Sequence, residues 1–285
     1  MKTRLPAWFK QPLPDGTVMS TMRAFLDDLS LHTICESAHC PNSGECFSSG
    51  TATFLILGDN CTRACSFCAV NSGLPRPVDE NEPENLLAAV ERLDLTYIVI
   101  TSVSRDDLPD GGASQFARVL SLLRRKRPES ILELLIPDFQ GTVSALRTVV
   151  SAGPRVINHN IETVPRLYPE VRPQADYSRS VELLARVKDF SSDTITKSGL
   201  MLGLGETKEE VIEVMQDLRE AGCDLLTIGQ YLQPSPEKHP VIRYVSPEEF
   251  AGYADIGKNL GFAEVASGPL VRSSYRAAAL YAAAR

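Results

Sequence analysis

Two groups of three cysteines fall within one 34-residue stretch, Cys35, Cys40 and Cys46 spaced C-x4-C-x5-C, and Cys61, Cys65 and Cys68 spaced C-x3-C-x2-C. Iron–sulfur clusters usually take four cysteine thiolates, so a set of three leaves one iron of a cubane open to bind and activate something. A structural zinc knuckle or a buried thiol trio is the other reading. Structural zinc closes its shell with four ligands, and no further Cys or His follows the second group nearby. His39 stands beside Cys40, and adjacent side chains seldom converge on one small cluster, so a place behind the ligands or in solvent suits it better. Cys223 follows Gly222 far from both groups and reads as a small buried residue. His32 and His239 carry no signal.

Seven cysteines crowded mainly into two clusters read as metal or redox ligands in a reducing compartment rather than as disulfides. No apolar run of signal-peptide length opens the chain, and none reaches the roughly 18 uninterrupted apolar residues of a membrane span. A soluble, cytoplasmic protein with no membrane partner is expected. The net charge of −7 argues against a general nucleic-acid binder. The basic run Arg124 to Arg127 ends a helix before Pro128, where cations suit the helix dipole; a docking patch for an acidic partner is the lesser reading.

The 285 residues, 43 % hydrophobic, suffice for two average domains or one α/β barrel. The first cysteine group lies in a loop rich in Ser, Pro, Asn and Gly, which can bend its thiolates toward one centre. The second follows directly on a strand that starts at Thr53. Further short buried strands are expected at Leu95–Thr101, Ile131–Ile136, Val156–Ile161, Ile195–Leu202 and Leu225–Ile228. Helices between them are well punctuated: Thr207 to Glu210 and Ser246 to Glu249 are capping boxes, and Gly153-Pro154 stops a helix begun near Thr142.

Six strand–helix units imply a parallel sheet with right-handed crossovers, hence an α/β fold of the incomplete TIM-like (β/α)6 barrel kind. A doubly wound open sheet ranks lower, because no G-x-G-x-x-G follows the first strand. Three parts are expected: an N-terminal extension over 1–50 carrying the first cysteine group, the partial barrel over 51–262, and a C-terminal extension over 263–285. Pro6, Pro12 and Pro14 make the amino end an extended arm before a helix from Thr17 to Leu29, with Trp8 anchoring the arm by burial. Gly203-Leu204-Gly205-Glu206 reads as a tight turn at least as well as a phosphate cradle.

A C-x3-C-x2-C loop after a first strand resembles the signature of the radical S-adenosylmethionine (SAM) superfamily, in which the amino and carboxylate groups of SAM chelate the open iron. That resemblance implies a 5′-deoxyadenosyl radical, chemistry that belongs to the cofactor while the protein orients and shields it. SAM carries a sulfonium, an amino group, a carboxylate and a ribose. Thr101, Ser102, Asn158, Glu162 and Lys197, at the carboxyl ends of the expected strands, are the residue types needed to bind it.

The two trios, taken with His159-Asn160-Ile161-Glu162-Thr163, Thr196-Lys197-Ser198-Gly199, Gly229-Gln230-Tyr231-Leu232-Gln233-Pro234-Ser235 and Arg272-Ser273-Ser274-Tyr275, resemble the lipoyl synthase family from about Cys35 to Tyr275. The resemblance implies a second, auxiliary [4Fe–4S] cluster on Cys35, Cys40 and Cys46, with Ser274 as its fourth ligand and Ser273 as the alternative. It further implies insertion of two sulfur atoms at C6 and C8 of an octanoyl group on a lipoyl carrier protein, a lipoyl domain or the glycine-cleavage H protein. Two SAM molecules would be consumed, and the auxiliary cluster's own sulfide. An electron donor such as ferredoxin or flavodoxin, and a cluster-rebuilding protein, would be partners. Ser104, after Val103, stands where a more polar Asp or Asn is expected. Another radical SAM sulfur-inserting or methylthiolating enzyme, and a non-catalytic iron–sulfur carrier, are the competing readings. The Ala-rich segment from Arg276 to Arg285 is expected to form a helix that shuts the cavity once Ser274 is engaged.

Overall fold

The computed structural model describes residues 5–11 and 15–285. In chain order come α1 (Gly16–Asp28), β1 (His32–Thr33), α2 (Ile34–Ser37), α3 (Ser43–Ser48), β2 (Thr53–Ile56), β3 (Asn60–Cys61), β4 (Asn71–Ser72), α4 (Glu82–Arg92) and β5 (Tyr97–Ser102). Then follow α5 (Ala113–Lys126), β6 (Ile131–Leu135), α6 (Val143–Ser151), β7 (Val156–Asn158), α7 (Tyr168–Val171), α8 (Tyr177–Phe190) and β8 (Ile195–Leu202). The chain ends with α9 (Lys208–Glu220), β9 (Leu225–Gln230), α10 (Pro247–Asn259), β10 (Glu264–Gly268) and α11 (Ala277–Ala283). Both capping boxes form: Thr207 and Glu210 open α9, and Ser246 and Glu249 open α10.

One sheet runs in the order β1-β2-β5-β6-β7-β8-β9-β10, so its edges β1 and β10 are not neighbours and the barrel is incomplete. All pairings are parallel except β1 with β2. Side chains alternate along a strand, and paired residues share a face. Register therefore puts Phe54, Ile100, Leu134 and Ile157 on one side. Thr101, Leu135, Asn158 and Lys197 lie on the other, with Gly199 and Thr227 further along the same face. The first set packs into the core. The second faces the barrel interior, which is unusually polar for a core.

All six expected units are present, and β10 adds a seventh parallel strand within the segment expected as a C-terminal extension. Its Glu-Val-Ala-Ser-Gly sequence has one bulky apolar side chain, too little to signal a strand. β7 stops at Asn158 rather than Ile161, and Glu162, at φ 68°, re-engages β8 only through a bridge to Leu200.

Trp8 does not anchor the arm; it is exposed, and its neighbour Phe9 is buried edge-on against Tyr244. Pro12 and Pro14 lie outside the described residues. The terminal helix does form: its Ala277 and Ala278 line a cavity with Cys35, Cys40, Cys46 and Ser274, and its far end packs at the amino ends of the strands. The Tyr281 ring stands 5.8 Å from that of Tyr97, the first residue of β5, and Arg155 Nε, just before β7, donates to the Tyr281 hydroxyl at 2.9 Å. Both partners mark the amino ends of the strands. Among the described residues no helix is long and apolar enough to cross a membrane.

Candidate active site

After β2 the chain turns out of the sheet through Leu57 (φ 69°) and Gly58 (φ 88°), and the second cysteine group occupies the loop that follows. Neighbours on several elements hold that loop. Arg63, buried, donates to both oxygens of Asp106 at 2.6 and 2.9 Å and to Asp138 Oδ1 at 2.6 Å. Thr62 donates through its N–H to Ser104 O, Ala64 N–H to Gln174 Oε1, and Ser66 N–H to Val171 O. Cys61 Sγ accepts the backbone N–H groups of Ser104 at 3.3 Å and Arg63 at 3.4 Å. Ser104 thus serves through its main chain, which is indifferent to the side chain there.

Burial pushes the Cys68 thiol up to about 12 and the Cys65 thiol upward as well. A thiolate at such a position wants a cation, and metal binding supplies one while releasing the proton.

In the first group, Cys35 lies on α2, capped by Thr33, whose hydroxyl accepts Glu36 N–H; Cys40 follows His39 at φ 50°; Cys46 lies on α3. The three share a cavity of about 120 Å³ with Thr53, Arg272 and Ser274. Burial pushes the Cys35 thiol up to about 12, with charge on Cys40 and Cys46 adding to the rise. Ser274 reaches the group because the C-terminal segment is strapped across it. Asn42 Nδ2 donates to Leu270 O at 2.7 Å, the Tyr275 hydroxyl to Glu45 at 3.0 Å, and Arg276 to Glu45 at 2.9 Å. Ser273 does not line this cavity.

A second cavity of about 450 Å³ opens between the groups at the carboxyl ends of the strands. Cys35, Cys40 and Ser274 wall one part of it, Cys68 another, and Thr101, Asn160, Glu162 and Thr227 bring polar atoms. Ile34, Phe67, Leu135, Met201 and Leu232 make much of the rest apolar. Exposed His39 also lines it. Burial raises the Glu162 carboxyl, against the pull of the Arg172 guanidinium and of the Asn160 amide, which donates to it at 3.0 Å. The Thr101 hydroxyl donates to Leu135 O at 2.9 Å, leaving its lone pairs to accept.

Three expected SAM contacts do not line this cavity. Lys197 is fully buried, its Nζ 2.7 Å from Glu133 Oε1, and it does not line the opening. Asn158 lies on the same barrel face but is fully buried and unpartnered. Ser102 is paired with Ile56, on the face turned away from the interior. The Gly203–Glu206 turn is no phosphate cradle, because the Glu206 carboxylate itself accepts the N–H groups of Gly203, Leu204 and Gly205.

Among the described residues no three His, Cys, Asp or Glu side chains converge on the point one ion would occupy. Residues that gave no sequence signal also frame the site. Asp138 binds both Arg63 and Arg179, and Arg172 NH1 donates to the carbonyls of Asn160 and Ile161.

A model described as the radical SAM superfamily matches residues 55–218, and one described as the N-terminal domain of lipoyl synthase matches residues 1–40. The lipoyl synthase of Caldanaerobacter subterraneus subsp. tengcongensis is 56 % identical over 97 % of this chain and 97 % of its own. That of Alkaliphilus metalliredigens is 53 % identical over 96 % and 95 %. Among solved structures, the hydrogenase maturase HydG aligns with a TM-score of 0.56 at 16 % identity, over 72 % of this chain and 49 % of its own. Methylornithine synthase aligns at 0.53 and 14 % identity, over 67 % and 56 %, so both share the partial barrel alone. With the cysteine spacings, the open barrel and this identity over nearly its full length, the chain belongs to the lipoyl synthase family of radical SAM enzymes.

Proposed function

We propose that the chain inserts sulfur at C6 and C8 of an octanoyl group held in amide linkage on a lipoyl carrier protein, a lipoyl domain or the glycine-cleavage H protein. The observation that carries this reading is the single cavity walled by Cys35 and Cys40 on one side and Cys68 on another, with apolar side chains between. Cys61, Cys65 and Cys68 would hold the [4Fe–4S] cluster that binds SAM, and Cys35, Cys40 and Cys46, with Ser274, the auxiliary one. When bound, the first supplies the electron that splits SAM, two molecules per product, and the second the sulfide that is consumed. Ser274 is preferred to Ser273 because it reaches the smaller cavity as well as the larger. An oxygen donor on a thiophilic site is also displaced more easily than a thiolate.

The chain's own residues position and shield. Glu162 and Thr101 offer acceptors to SAM, while Ile34, Leu135 and Met201 hold the acyl chain and exclude water. Residues 1–50 and 263–285 act as extensions that bring the auxiliary site to the barrel over 51–262, with 263–285 also supplying its last strand, β10. The enzyme would work in the cytoplasm with an electron donor such as ferredoxin or flavodoxin, and with a protein that rebuilds the spent cluster.

Anaerobic reconstitution of wild type, Cys35→Ala and Cys61→Ala, followed by iron and sulfide counts and assay with an octanoylated carrier, tests the reading. Wild type should hold two clusters and each variant one. Cys35→Ala should still make 5′-deoxyadenosine but no thiolated product, and Cys61→Ala should make neither. A loaded wild type that makes no 5′-deoxyadenosine would instead be an iron–sulfur carrier.

A further inference from the structure

His239 lies in the long connection between β9 and α10, a stretch without regular secondary structure whose first residues, Tyr231 to Pro234, wall the larger cavity. Such a connection has ample conformational freedom unless something fixes it. Its root is fixed by the Gln230 amide, which donates to the carbonyls of Leu202 and Arg243 and accepts Val245 N–H. Its middle is fixed at His239, a buried residue with partners in three other segments and one within the connection itself. The His239 N–H donates to Ser66 O at 2.9 Å, inside the second cysteine loop. The ring Nε2–H donates to Leu204 O at 2.9 Å, just after β8. The His239 carbonyl accepts the Tyr231 hydroxyl at 2.7 Å, and Nδ1 stands 3.2 Å from Glu170 on α7, an ion pair when the ring is protonated.

We propose that His239 is a positioning residue that locks the Tyr231–Pro234 wall to the Cys61–Cys68 loop, and so sets where the acyl chain lies relative to the radical. The inference rests on the sulfur-insertion reading above. His239 lines neither cavity: its main chain bonds Ser66 and Tyr231, and its ring, bonded to Leu204 O and facing Glu170, fixes where that main chain lies. Radical formation needs the cysteine loop, which many other bonds hold. Hydrogen abstraction also needs the carbon in place. Losing the ring should therefore separate the two, leaving SAM to be cleaved without productive transfer.

The test compares His239→Ala, His239→Gln and Tyr231→Phe in the reconstituted enzyme with an octanoylated carrier, reading lipoyl product against 5′-deoxyadenosine. In His239→Ala, 5′-deoxyadenosine should stay within about 2-fold of wild type while product falls ~10-fold to 10²-fold, the scale of an ångström-sized misplacement. His239→Gln keeps an N–H able to reach Leu204 O and should restore much of the ratio. Tyr231→Phe should lower it. Hydrogen exchange on the cluster-free chain gives a readout independent of activity: His239→Ala should speed exchange across 231–238 while leaving β5 unchanged. A wild-type product ratio in His239→Ala, or unchanged exchange across 231–238, overturns the proposal. If wild type itself makes no 5′-deoxyadenosine, the sulfur-insertion reading fails, and the exchange measurement still decides whether His239 locks the wall.

Discussion

Lys197 Nζ stands 2.7 Å from Glu133 Oε1 inside the barrel, with both side chains fully buried, and the Tyr97 hydroxyl donates to the second oxygen of Glu133. Removing one partner of such a pair leaves an uncompensated charge in a dry interior, which costs more than the pair itself contributes. Lys197→Met should destabilise the cluster-free chain by about 3–5 kcal/mol in denaturant unfolding. Glu133→Leu added to it should recover most of that loss, because an apolar pair carries no buried charge. A single variant as stable as wild type would show that the carboxylate finds water.

Asp138 gives a pH dependence with a defined sign. Burial raises its carboxyl, but the Arg63 guanidinium outweighs that and holds it at about 2. A carboxyl depressed below its unfolded value contributes stability above the unfolded pKa, and that contribution is lost as pH falls through the folded pKa. Stability should therefore fall from about pH 4 to pH 2, with Asp138 accounting for about 2 kcal/mol of the loss. In Asp138→Asn this part of the slope should be missing from acid titrations followed by circular dichroism.

The superfamily was legible in the sequence because its motif is local: Cys61, Cys65 and Cys68 fall at C-x3-C-x2-C spacing in one loop after a strand. The six expected strands were legible through runs of β-branched residues. What the sequence hid was parity and distance. Ser102 and Thr101 are equally polar and adjacent, yet one faces the interior and the other does not, and only the register of β5 with its neighbours decides which. Lys197 looked like a ligand because its partner Glu133 lies two strands away in the sheet. β10 was hidden by its small residues, and His239 because three of its four partners, Ser66, Glu170 and Leu204, come from distant segments.

Gly229 lies on β9 beneath the C-terminal segment, where a methyl group would overlap the Val271 carbonyl. Backbone is what it would meet, so the strap rather than a side chain must move. Gly229→Ala should cost about 1–3 kcal/mol, the usual penalty for overpacking. Displacing Val271 also displaces Ser274, so the variant should lose the auxiliary cluster selectively. Its reconstituted iron and sulfide should match Cys35→Ala, while 5′-deoxyadenosine formation persists. Full cluster content in Gly229→Ala would mean that Ser274 reaches the first cysteine group without the strap lying where it does.

The terminal helix makes the same argument from the other end of the strap. α11 buries Ala277, Leu280 and Tyr281 against the barrel, while Arg276 and Tyr275 before it hold Glu45 on α3. Truncation after Arg276 keeps Ser274 and the Glu45 contacts but removes the anchor at Tyr97 and Arg155. Losing the burial of Leu280 and Tyr281 should cost about 3–5 kcal/mol, because each buried side chain contributes about 1.5–3 kcal/mol. The thermal midpoint of the cluster-free chain should drop accordingly. With its far end released, the strap is held after Ser274 only through exposed contacts, and exposed ion pairs such as Arg276–Glu45 contribute little. The truncated chain should therefore bind the SAM-cleaving cluster normally and the auxiliary one poorly. If iron counts show both clusters fully retained, α11 stabilises the barrel without positioning Ser274.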